Sequence, residues 1–158
     1  MTGGSRIAQP VVVGQSDLDD ADSAIDVERW QELARRALET EGISSGELSL
    51  LFIDTEAMAA LNAEHMGVSG PTDVLAFPID GEGHSSDPVV PRLLGDVVIC
   101  PAVARVNAAA RGCALGDELA LLVVHGVLHV LGHDHAEPEE TARMQERERA
   151  LLDAHHRP

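Results

Sequence analysis

The chain has 158 residues, the length of one ordinary domain, and can bury a core without disulfide staples. At 44% apolar it is neither disordered nor membrane-spanning in composition, and no apolar run reaches bilayer length. Its 27 acids against 11 bases, every base an Arg, give a net charge of −16, which argues against non-specific nucleic-acid binding and suits a basic partner or a divalent cation.

Residues 1–10 read as a loose tail without the apolar stretch of a secretory signal, and 11–158 as a single domain. Val11 to Gly14 is a short β-branched strand, and SDLDDADSA after it is a loop. From Asp26 the apolar positions recur at three and four (Val27, Trp30, Leu33, Ala34, Ala37, Leu38), which predicts a helix stopped by Gly42. ELSLLFI, Glu47 to Ile53, is a buried strand; Asp54 or Thr55 then caps a helix carrying Met58, Leu61 and Asn62. Gly67, Gly70 and Pro71 mark a loop before a strand from Asp73 to Ile79, and a Gly/Ser/Pro-rich connection leads to a fourth strand, Leu94 to Cys100. Pro101 opens a helix ending at Gly112, Asp117 caps the next from Glu118 to Leu131, and Pro138 opens a last helix to about Asp153. The alternating Glu and Arg of that last helix predict a solvated, ion-paired face. The order β-α-β-α-β-β-α-α-α predicts an α/β (α+β) fold: a mixed four-stranded sheet with one antiparallel pair, packed by about five helices. Cys100 and Cys113 are too few for a disulfide framework; both are expected as small core residues in a reducing, cytoplasmic setting.

Four of the eight His fall in one run, His125-Gly-Val-Leu-His129-Val-Leu-Gly-His133-Asp134-His135. His125 and His129, at i and i+4, share one helix face, the geometry of the first two ligands in helical zinc sites. Gly132 breaks the helix and lets the chain turn back to present His135. Three imidazoles with an open fourth position describe a catalytic metal site: one zinc per chain, held by His125, His129 and His135, although imidazole also suits nickel, copper and iron. His133 is an alternative ligand or a residue facing substrate; Asp134 either orients a ligand ring or serves as a base. His65, His84, His155 and His156 read as surface residues. The register matches the extended zinc-peptidase motif H-E-x-x-H-x-x-G-x-x-H, but Gly126 stands where a peptidase carries its Glu base, so proteolysis is a poor reading.

HGVLHVLGHDH resembles the H-G-x-L-H-L-x-G-[YH]-D-H signature of the YbeY family of bacterial endoribonucleases and rRNA maturation factors. PTDVLAFPID at 71–80 and LGDVVICPAVA at 94–104 are similar to two further blocks of that family, in the same order. The resemblance implies a zinc-dependent, single-strand-specific endoribonuclease acting in 16S rRNA 3′-end maturation and ribosome quality control. It further implies metal ligands at His125, His129 and His135 and work in the cytoplasm beside the small ribosomal subunit. Two positions depart from the pattern: Met66 replaces an Arg, and Ala76 a Ser. A thioether cannot neutralise phosphate, so another Arg (Arg92, Arg105 or Arg111) is the candidate substitute. The residues do not identify a general base. The nucleophile is either water activated at the metal or the RNA 2′-hydroxyl. The acidic surface and the shortage of stacking aromatics (Trp30, Phe52, Phe77) predict that RNA affinity is borrowed from a basic ribosomal protein or a GTPase assembly factor, without a membrane partner. The alternatives are a non-catalytic, metal-stabilised assembly factor and, less well supported, a metallopeptidase.

Overall fold

The computed structural model describes residues 9–18, 25–79, 92–133 and 137–156. Its centre is β2 (Glu47–Ile53), whose alternating side chains supply both faces of a sheet. Leu48, Leu50 and Phe52 point to one face, and Ile53 to the other. The strand order is β1-β2-β4-β3, with β1 as Val11–Asp17, β3 as Val74–Pro78 and β4 as Leu93–Ile99. The pairs β1/β2 and β2/β4 are parallel, and β3 runs antiparallel along β4. This is the expected mixed sheet with one antiparallel pair.

The larger core lies on the Phe52 face. There α1 (Val27–Thr40) contributes Trp30, Leu33, Ala34, Ala37 and Leu38, and α4 (Leu115–Val130) contributes Val123, Val124 and Val127. Each Leu or Val among them, removed from water, stabilises the fold by about 1.5–3 kcal/mol. The smaller core on the opposite face joins Ile53, Leu75, Val98 and Cys100 to Met58 of α2 (Thr55–Met66). The remaining helices are α3 (Pro101–Arg111) and α5 (Pro138–His155).

Two glycines let α4 lie close against the sheet. A Cβ on Gly126 would come within 2.5 Å of Val97 Cγ1. Gly95, at φ +152°, sits where the β2/β4 register shifts, and a Cβ there would meet Phe77 O at 2.6 Å and Val130 Cγ1 at 3.0 Å. The histidine helix is therefore fixed against β4 and β3 by backbone-scale contact.

Several expectations need correction. β1 continues past Gly14 to Asp17, because Gln15, Ser16 and Asp17 pair with Leu51, Phe52 and Ile53; a parallel ladder does not require apolar side chains on the edge strand. α4 begins at Leu115 without a side-chain cap, and Asp117 instead accepts a hydrogen bond from His156 at 2.9 Å. His156 is not a surface residue: its ring packs against Trp30 with centroids 6.2 Å apart. His155 is half-buried beside Thr40, 2.7 Å away, and burial, with Arg36 adding to it, lowers its pKa. Cys113 is exposed, while Cys100 is buried as expected. Among the described residues, no single helix is long and apolar enough to cross a membrane. His84 lies outside the described residues.

Candidate metal centre

From Leu119 to Val130, α4 is buried except at Leu121, His125 and His129. These three recur every fourth residue and form the helix's open stripe. The apolar residues between them hold the helix against the sheet, so the two imidazoles face outward together. Their rings are stacked, with centroids 6.4 Å apart and planes 11° from parallel.

Behind His125 stands Glu148 of α5. Its Oε2 lies 2.5 Å from His125 Nδ1, and the carboxylate is buried. That contact engages Nδ1 and leaves Nε2 for another partner. Two near-parallel imidazoles one turn apart, one of them backed by a carboxylate, form a donor set that fits a zinc ion. His135, the expected third ligand, and Asp134 lie outside the described residues. Among the described residues, no three His, Cys, Asp or Glu side chains gather into a metal cage.

His133 follows the end of α4. Its backbone N–H donates to Leu128 O at 3.0 Å, and its Nε2 lies 3.5 Å from Glu41 Oε1. Glu41, at the end of α1, also accepts from Arg147 of α5, through Nε at 3.1 Å and through a closer terminal nitrogen. His133 and Arg147, with Arg143 and Glu140, line a cavity of about 470 Å³ beside the end of α4.

The packing also accounts for Gly126. That position faces Val97 at the helix–sheet contact, so a Glu there would be driven into β4. The site lacks a peptidase's base at this position because the fold has no space for one.

The second sequence block serves the scaffold. Asp73 Oδ1 accepts from the Val74 N–H at 2.8 Å and from the Thr72 hydroxyl at 3.4 Å, and Oδ2 accepts from Asn107 at 3.2 Å. Buried Asn62 donates to Gly70 O at 2.8 Å and ties down the same loop. Met66, where an Arg was expected, is exposed at the end of α2. Arg111, one of the candidate substitutes, is held by buried Glu118 at 3.1 Å, more than a turn before His125 along α4.

Glu148 and Glu41 were not anticipated from sequence. The available signal was Glu148's place among Met144, Leu151 and Leu152, where an acid interrupts an otherwise apolar stripe of α5.

Fold and site together define a mixed-sheet α/β protein whose central helix presents paired histidines in front of a buried carboxylate. The family profile described as Endoribonuclease YbeY matches residues 15–156. A relative named endoribonuclease YbeY from Salinispora tropica is 46% identical over 134 residues, covering 80% of this chain and 85% of its own. One of the same name from Kineococcus radiotolerans is also 46% identical, covering 81% of this chain and 76% of its own. A solution structure of a Thermotoga maritima protein superposes with a TM-score of 0.59 at 20% identity, over 90% of each chain, which supports the fold. The chain belongs to the endoribonuclease YbeY family.

Proposed function

We propose that this protein is a zinc-dependent endoribonuclease that cuts single-stranded RNA during 16S rRNA 3′-end maturation and ribosome quality control. The observation that supports this most directly is the stacked His125–His129 pair, partly exposed on a largely buried helix, in a chain of an endoribonuclease family.

His125 and His129 would hold the metal, with His135 as the third ligand. A bound zinc ion supplies Lewis-acid polarisation of a phosphoryl oxygen and brings the pKa of water toward neutrality. The protein's own groups do the rest. Packing on β4 fixes the helix that carries both rings, so substrate binding need not order it. Gly126 cannot move a proton, so proton transfer falls to His133 or Asp134 beyond the helix end. His133 sits at the cavity next to that end, with Glu41 beside its Nε2.

The net charge of −16 repels free RNA. The enzyme is therefore expected to act in the cytoplasm on the small ribosomal subunit, where a basic ribosomal protein or a GTPase assembly factor docks on its acidic surface. The exposed Met66 supports a second reading, in which the chain is a metal-stabilised assembly factor without turnover.

The deciding experiment is cleavage of a labelled single-stranded RNA carrying the 16S 3′ region, by wild type and His129→Ala, with bound zinc measured in each. Loss of both cleavage and zinc in the variant supports the metallo-ribonuclease. Zinc without cleavage in the wild type favours the assembly factor. Equal cleavage by both proteins overturns the assignment of the site.

A further inference from the structure

We propose that Glu148 is a positioning residue of the metal site: its carboxylate accepts the Nδ1 proton of His125, fixes the ring's tautomer and presents Nε2 to the metal. This inference rests on the zinc reading above and adds a residue from a different helix to it.

The argument starts from the cost of the acid. Met144, Glu148, Leu151 and Leu152 form the buried stripe of α5. A carboxylate in such a stripe loses its hydration, and the loss is offset only by a close, well-aligned partner. The contact to His125 Nδ1, at 2.5 Å, is shorter than an ordinary N–H···O hydrogen bond, as expected of a close charge-assisted partner. A leucine would fill the same stripe without a desolvation cost, so packing does not account for the acid.

The geometry gives the contact its consequence. An imidazole has two nitrogens, and when one donates to a carboxylate the other is left as the acceptor a metal needs. His125 is also only partly buried, so a ring free to flip would present either nitrogen. The carboxylate removes that choice before the metal arrives. Because Glu148 is carried by α5, the two helices must be docked for the site to be ordered.

The competing account is that the contact only holds α5 to α4. Zinc affinity and stability separate the two accounts. Wild type, Glu148→Gln and Glu148→Ala would be compared by zinc competition against a chromophoric chelator and by chemical denaturation of the metal-free proteins. The visible spectrum of each cobalt-substituted protein reports ligand geometry. Glu148→Ala is expected to bind zinc about 10- to 100-fold more weakly, with an altered cobalt spectrum. Glu148→Gln keeps an oxygen acceptor without the charge and is expected to lose less; it decides the matter if the alanine variant fails to fold. Both variants folded and binding zinc within twofold of wild type would overturn the proposal and leave Glu148 a packing contact. A wild type that binds no zinc would overturn the metal reading itself, a failure visible before either variant is measured.

Discussion

Helices α4 and α5 lie side by side, yet their sequences carry opposite kinds of information. In α4 the informative feature is local: two His one turn apart on a run of Leu and Val. Any helix formed there places the two rings on one face, whatever packs around it. In α5 the informative feature is hidden. Its first three turns alternate Glu and Arg as a solvated helix does, and Arg143 with Glu139 behaves that way, 71% and 90% exposed at 3.9 Å. About one turn further along, the adjacent residues Arg147 and Glu148 reach Glu41 at the end of α1 and His125, respectively. Charges of one type thus do different work according to what packs against them, and sequence spacing within α5 does not reveal which.

The largest test of this contrast is on α4. His129→Ala should abolish stoichiometric zinc binding and with it RNA cleavage, read by metal analysis and product gels; a variant retaining full zinc would show that α4 does not supply a ligand there. Next is Gly126→Glu, which would restore the peptidase consensus. Its Cβ has no space against Val97, and its carboxylate would be buried without a partner. The expected loss is more than about 3 kcal/mol in chemical denaturation, with no gain of proteolysis. Native stability in that variant would mean that α4 can move off the sheet.

Smaller effects are expected on the α5 side. Glu41→Ala leaves the Arg147 guanidinium without its carboxylate and should cost about 1–3 kcal/mol in a denaturant midpoint series. A matching collapse of zinc affinity would sharpen the picture by drawing His133 into the ligand set. The smallest effect belongs to Arg143→Ala, within about 0.5 kcal/mol, because an exposed pair at long range gains little over its hydration. A loss as large as that at Glu41 would erase the distinction between the solvated and the docked charges of α5.

The two histidines and the glycine after them were legible because they obey rules acting over one turn or one bend. The order of elements was legible for the same reason, since the apolar periods and the cap offered at Asp54 or Thr55 are local, and it is Asp54 that accepts from the third residue of its helix. The first turn of α4 was misread because a plausible cap, Asp117, is taken by His156, which is 39 residues away. His156 itself was misread as a terminal surface residue, although the turn of chain that ends α5 brings it onto Trp30.

What the sequence alone determined is the shared helix face of His125 and His129 and the mixed order of strands, both consequences of short-range periodicity. The tertiary structure alone decided that Gly126 is a contact with β4, that His133 turns to Glu41, and that a glutamate from the last helix stands behind His125. Those outcomes depend on which surfaces meet, and burial then determines which charges must be paired and which can stay in water.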